Sequence, residues 1–362
     1  MEKRINIFEP YTDEREREAV LRVLGSGWFI GGKETEAFEN EFKNYIGVKH
    51  AVGCSNGTAA ILLALEALEI KENDEVIVPS HTAFPTIEPI LNIKAKPIFV
   101  EVNEETYTLN VEDVKRKIND KTKAVIAVHL YGHPAELDSL KKICDEKNIY
   151  LIEDCAQAVG AEYKNRKVGS IGDVGCFSFY PSKNMTVCGD GGMVVTNNEK
   201  IKESVAMLKN HGAKTRYEHA LLGYNFRISE IASALGREQL KKLDNFNDKR
   251  RRIADIYQEH LPKNLILPQE KEYAKHVYHL YVVRCKERNK LKEFLEKNNV
   301  KSEIHYPIPG HMQQATPEEF KTKLPKTETI VNEILSLPMH TKLTEEDVKF
   351  VCEKIKEFYG KI

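Results

Sequence analysis

The chain has almost no net charge. Its 54 Lys and Arg against 55 Asp and Glu leave a formal charge of −1 over 362 residues. That gives no electrostatic reason to expect a nucleic acid or an anionic membrane as partner. The one basic run, Lys249-Arg250-Arg251-Arg252, sits in a helix-like stretch and reads as a solvated face. Cysteines are few: Cys54, Cys144, Cys155, Cys176, Cys188, Cys285 and Cys352, with no CxxC pair and no His at zinc spacing. An odd count in a chain this long argues against a disulfide framework and for reduced thiols, and no metal site is expected. No apolar run approaches a membrane span. The opening MEKRINIFEP lacks the apolar stretch of a secretory signal, so a soluble cytoplasmic protein is the expectation. There is no internal repeat, no low-complexity linker, no GxGxxG and no GxxxxGK[ST].

What is present is an ordinary globular balance, 41% hydrophobic and 30% charged, enough to bury a sizeable core. The length suggests roughly two domains. Short apolar, β-branched runs recur at Val52–Cys54, 75–79, 97–102, 123–130, 149–154, 176–180 and 192–196. Helix-like stretches such as AAILLALEAL, NVEDVKRKI and ELDSLKKICDEKN separate several of them. That alternation predicts an α/β fold with a mainly parallel sheet between helices. A long polar helical stretch is expected over roughly 228–260. Beyond it, HVYHLYVVRC (276–285) and further helices read as a smaller α+β domain. The expected division is a large domain over 1–245 and a small one over 246–362.

In open parallel sheets ligands bind beyond the carboxyl ends of the strands, so the residues after each run carry the argument. After Val52-Gly53-Cys54 comes Ser55-Asn56-Gly57-Thr58 and a helix. The free N–H groups and positive dipole end of such a helix suit a phosphate, although simple capping explains the same residues. After IYLIE comes Asp154, either a helix cap or a partly desolvated acid that needs a partner, for which a pyridinium nitrogen would serve. After CFSFY come Pro181-Ser182-Lys183 and the glycine-rich 189–192. A lysine delivered by an apolar strand to the edge that holds Asp154 has the setting of a nucleophilic amine. A phosphate cradle, an acid and a lysine at one sheet edge fit a pyridoxal 5′-phosphate (PLP) site better than a dehydrogenase.

At these residues the chain resembles the DegT/DnrJ/EryC1/StrS sugar aminotransferases, a group of fold-type I PLP enzymes. The likeness covers nearly the whole chain: SNGTAA (55–60), DEVIVPSHT (74–82), EDCAQAVGA (153–161), FSFYPSKNMTVCGDGG (177–192), GYNFRISEIASALG (223–236), YHLYVV (278–283), IHYPIPGHMQQA (304–315) and LSLPMH (335–340). The resemblance implies a mostly parallel seven-stranded sheet between helices. It implies Lys183 as the Schiff-base lysine and Asp154 as partner of the ring nitrogen. It places Gln157 on the ring-oxygen side and Gly57, Thr58, Ala59 and Ser178 on the phosphate. In the family the neighbouring subunit of a homodimer adds an asparagine to that phosphate, matched here by Asn225. Arg227 matches a residue reaching across to the sugar, and His305 and Tyr306 match substrate contacts. One departure stands out. The family reads Thr-aromatic-aliphatic-Ala-Thr where this chain has Thr82-Ala83-Phe84-Pro85-Thr86. Phe84 is therefore expected either to stack on the ring or to pack in the core.

The implied reaction moves an amino group from glutamate to a keto group of a nucleotide-linked sugar. GDGG (189–192), HYPIP (305–309) and AQAVGA (156–161) resemble the branch acting at C-3; members acting at C-4 more often carry Glu where Asp190 stands. The alternatives are amination at C-4, a sugar dehydratase of the same fold, which replaces the lysine with histidine, and a non-catalytic scaffold. Trp28 and Phe29 are expected either to line a neighbour's pocket or to pack internally.

Overall fold

Seven short runs rich in Val, Ile and Ala form one sheet in the computed structural model, which describes residues 4–360. Residues 1–3 and 361–362, the outermost ends of the two expected domains, lie outside the described residues. The strands are β1 (His50–Cys54), β2 (Glu75–Pro79), β3 (Lys96–Val100), β4 (Thr122–Val128), β5 (Tyr150–Asp154), β6 (Val174–Ser178) and β7 (Gly192–Thr196). Their spatial order is β1-β7-β6-β5-β4-β2-β3. From β6 to β3 every pairing is parallel, whereas β7 runs antiparallel to both β1 and β6.

Alternate residues of each strand enter opposite cores, as the two-residue period of a pleated strand requires. Helices α1 (Glu14–Ser26) and α2 (Lys33–Ile46) precede β1; Val76, Val78, Ala124 and Ile126 face one layer with helices α3 (Gly57–Ala67) and α4 (Phe84–Asn92). Ile77, Val125 and Ala127 face the other, with Phe38 and Phe42 of the helix Lys33–Ile46 and with Leu140 and Cys144. Burial on both faces explains why the strands read as continuous apolar runs.

A third core joins the antiparallel pair β8 (Tyr281–Arg284) and β9 (Ile334–Leu337) to the helices Leu243–His260, Arg288–Lys297 and Glu345–Gly360. It also takes in Ile5, whose N–H donates to the Asn299 carbonyl at 2.9 Å.

Three expectations change here. The stretch 228–260 is two helices, Glu230–Leu240 and Leu243–His260, separated at Lys241-Lys242. Only Tyr281–Arg284 of the apolar 276–285 run is strand; His276 stacks on Tyr278 in the turn before it. The basic run is not wholly solvated. Arg250 is buried and donates to the carbonyls of Tyr278, His279 and Met339, and Arg251 pairs with Glu270. All seven cysteines are free thiols, and only Cys188 is exposed.

Candidate active site

A cavity of about 580 Å³ opens where β1, β5 and β6 end and α3 and α4 begin. Its phosphate-sized end is built by the start of α3. Asn56 caps the helix, its Oδ1 accepting from the Ala59 N–H at 2.8 Å. The N–H groups of Gly57 and Thr58 precede the first intrahelical bond and remain available to an anion. At position 57 a Cβ would lie 2.7 Å from the Ser178 Cβ, so a larger residue would fill the cradle.

Asp154, the last residue of β5, is buried. Its Oδ2 accepts from the Thr86 hydroxyl at 2.8 Å and its Oδ1 from the Ala156 N–H at 3.0 Å. Thr82 contacts Thr86 at 2.9 Å; since Thr86 spends its proton on the carboxylate, Thr82 is the donor to Thr86. Lys183 lines the same cavity. Burial lowers its amine from 10.5 to about 8, against the opposing pull of Asp154. Among the described residues no side chain hydrogen-bonds or ion-pairs with that amine.

Gln157 is fixed at both ends. Its Oε1 accepts from the Tyr131 N–H at 2.7 Å, and its Nε2 donates to the Tyr306 hydroxyl at 2.9 Å. Burial, aided by the charge of Asp154, pushes the Tyr306 phenol up to about 12, so it stays protonated. Phe84 lines the cavity and packs against the core.

The structure thus brings together Gly57, Thr58, Phe84, Asp154, Gln157, Ser178, Lys183 and Tyr306. Two residues expected in the chain's own site do not line the cavity. Ala59 has its N–H occupied by the Asn56 cap and its side chain buried. His305 is turned to Ser336, its Nδ1 2.9 Å from the hydroxyl, and burial pulls its imidazole down to about 4. Asn225 and Arg227, expected to serve a neighbouring subunit's site, lie outside this cavity: Asn225 is exposed, and Arg227 donates to Asn210 at 2.7 Å. Trp28 and Phe29 are 62% and 46% exposed, which excludes internal packing within one chain. Sequence reasoning missed Asn56, Thr86, Tyr180 and Asp190 as lining residues. Thr82 and Thr86 offered a signal, since hydroxyls four apart at a helix start share one face.

A buried trio, His129, Glu153 and Cys155, has metal-like proximity, but its lone pairs are committed. Glu153 accepts from the N–H groups of Gly169, Ile171 and Gly172 and pairs with His129 Nε2 at 3.0 Å, while His129 Nδ1 accepts from Ala135. It ties strands and loops together beneath the cavity.

A family model described as the DegT/DnrJ/EryC1/StrS aminotransferase family matches residues 10–356. The chain belongs to that family. It is 40% identical over 350 residues to a UDP-N-acetyl-3-dehydro-α-D-glucosamine 3-aminotransferase of Acidithiobacillus ferrooxidans, covering 96% of this chain and 95% of that protein. It is 40% identical over 343 residues to a dTDP-3-amino-3,6-dideoxy-α-D-galactopyranose transaminase of Aneurinibacillus thermoaerophilus, covering 94% of each. A protein described as a sugar aminotransferase from Streptococcus pneumoniae, solved in a PLP and a PMP form, superposes with a TM-score of 0.94 at 27% identity over 99% of this chain and 98% (PMP) or 99% (PLP) of that one. Aminotransferases of this family depend on PLP, and the cavity fits that group: a cradle closed to a Cβ, a buried carboxylate and an unpartnered amine share it.

Proposed function

We propose that the chain transfers an amino group from glutamate to the C-3 keto group of a nucleotide-linked sugar, using Lys183. The observation that carries this is the placement of Lys183 and Asp154 in one cavity with the free start of α3. The 3-dehydro and 3-amino sugars in the names of the two 40%-identical relatives support C-3 as the position.

Bound PLP supplies an electron-withdrawing ring that stabilises negative charge at the substrate carbon and carries the amino group from donor to acceptor. The chain supplies the rest. The α3 N–H groups and Ser178 hold the phosphate. Asp154, held by Thr86 and Ala156, keeps a proton on the ring nitrogen. Gln157 would lie on the ring-oxygen side, and Phe84 would pack on the group from the cavity wall. The Lys183 amine, lowered to about 8 by burial, would take the proton from the substrate carbon and hold it for return. Tyr306 closes the substrate side.

Asn225 and Arg227 complete the site of a second copy in a homodimer. Their positions outside this cavity support that reading, as do the exposed Trp28, Phe29, Ile30 and Leu222. An absorbance scan and a panel of 3-keto and 4-keto nucleotide sugars with glutamate test it. The purified protein should show a PLP-type band, and Lys183→Ala should lose at least about 10³-fold in turnover. Amination of the 4-keto sugars alone would refute the C-3 assignment, and full activity in Lys183→Ala would refute the role given to that lysine.

A further inference from the structure

Tyr131 is buried and non-glycine, yet its backbone is left-handed, at φ 60° and ψ 2°. Such a conformation persists only where surrounding contacts over-determine it. Here they do so at both ends of the residue. The Tyr131 N–H donates to Gln157 Oε1 at 2.7 Å, and Gln157 Nε2 donates to the Tyr306 hydroxyl at 2.9 Å. The chain from Tyr306 back to His305 leads to a carbonyl that accepts from the Tyr131 hydroxyl. The contacts form a closed ring, Tyr131–Gln157–Tyr306–His305–Tyr131, with two members on the cavity wall.

The direction of each proton follows. The Tyr131 hydroxyl has one proton and gives it to the His305 carbonyl, so at its 2.6 Å contact with His81 it accepts. His81 therefore carries its proton on Nε2, and its Nδ1 is a buried lone pair without a partner among the described residues. Burial lowers the His81 imidazole to about 3, which keeps it neutral. Its neighbour Ser80 grips the other end of the same segment. The Gly310 N–H donates to the Ser80 carbonyl at 2.7 Å, and the His311 N–H donates to the Ser80 hydroxyl at 3.2 Å. Two consecutive residues beyond β2 thus hold both ends of the stretch 305–311.

We infer that Tyr131 and His81 are positioning residues: they fix the segment bearing Tyr306, and through Gln157 the spacing of the cavity wall, in the geometry that receives the sugar. This rests on the aminotransferase reading for its substrate, but the clasp itself can be tested without turnover.

The first measurement is hydrogen–deuterium exchange on the purified protein. Peptides over 304–311 should exchange at least about fivefold faster in Tyr131→Phe and His81→Leu, with the central strands unchanged. His81→Gln, which can still present a donor to the Tyr131 hydroxyl, should restore slow exchange. The second measurement separates the half-reactions. The KM for the keto sugar should rise about tenfold in Tyr131→Phe and His81→Leu, while amino-group uptake from glutamate stays within about twofold. Unchanged exchange over 304–311, an unchanged sugar KM, or equal losses in both half-reactions would overturn the inference. If Tyr131→Phe fails to fold, the His81→Leu and His81→Gln pair decides the matter. Faster exchange in the variants, with a wild-type protein that takes no amino group from glutamate, would instead count against the proposed function and leave the clasp standing.

Discussion

At position 183 the chemistry of the amine and the stability of the fold pull in opposite directions. An unfolded lysine holds its proton up to about pH 10.5, whereas desolvation lets this one hold it only to about 8. The folded state therefore binds fewer protons in the window between those values, and stability rises with pH across it. Below pH 8 the whole penalty is present. Lys183→Met keeps the volume and removes the charge, so the cofactor-free variant should melt about 2–4 °C above the cofactor-free wild type at pH 7. The gap should close as pH climbs from 8 towards 10.5. Calorimetry across that range checks it; a variant that melts lower at pH 7 would show that the amine is not desolvated. Lys183 and Asp154 were legible in the sequence because each ends or follows an apolar run, and strand ends of a parallel sheet converge. Thr86 was missed despite its spacing from Thr82, because the carboxylate that gives it a role lies 68 residues away in the chain. The environment of His305 was also hidden. Nothing local indicates that it turns to Ser336 while its neighbour Tyr306 meets the cavity.

Among the elements, the helix Lys33–Ile46 shows how one segment is finished by another. Its N-cap is Gly32, which has no side chain to satisfy the first N–H groups. Glu230, at the start of the helix Glu230–Leu240, does so from almost 200 residues away. Its carboxylate accepts from the N–H groups of Gly32, Glu34 and Thr35 and from the Thr35 hydroxyl. Burial pushes the Glu230 carboxyl up, but these donors outweigh it and the net shift is downward from 4.5. The stabilisation is therefore present above pH 4.5 and lost as pH falls through the lower folded value. Glu230→Ala strands several donors, and a loss of roughly 3 kcal/mol is expected in urea unfolding at pH 7. The deficit should shrink in acid, and a loss below about 1 kcal/mol would mean that water caps the helix equally well. All seven strands of the sheet were legible, since β-branched runs bounded by turn residues are a local signal. The antiparallel direction of β7 was not, because it depends on which strands it inserts between. The break at Lys241-Lys242 was equally hidden. No glycine or proline marks it.

For the whole molecule, one chain supplies a cavity with an amine, an acid and a free helix start, while the two residues expected to serve a neighbour's cavity lie outside this one. Arg227 donates to Asn210 and its Nε is buried without a partner, while Asn225 stays exposed. Both lie beside the start of α3, since the Phe226 carbonyl accepts from the Ser55 N–H. A two-fold arrangement that buries Trp28, Phe29 and Ile30 would bring each pair to the neighbour's cavity. The same contact patch then serves both copies. Complementation separates this arrangement from independent sites. Lys183→Ala removes the amine from a chain's own cavity, and Arg227→Ala removes a group lent to the neighbour's. Mixing the two inactive variants with subunit exchange yields dimers of which half are mixed. Each mixed dimer has one cavity with an intact lysine and an intact lent arginine. About a quarter of wild-type activity should therefore return on mixing. If each chain's Arg227 served its own cavity, both cavities of a mixed dimer would lack one group and nothing would return. Velocity sedimentation of the same samples should show a species of twice the chain mass. A monomeric wild type with full activity would rule out lent residues altogether.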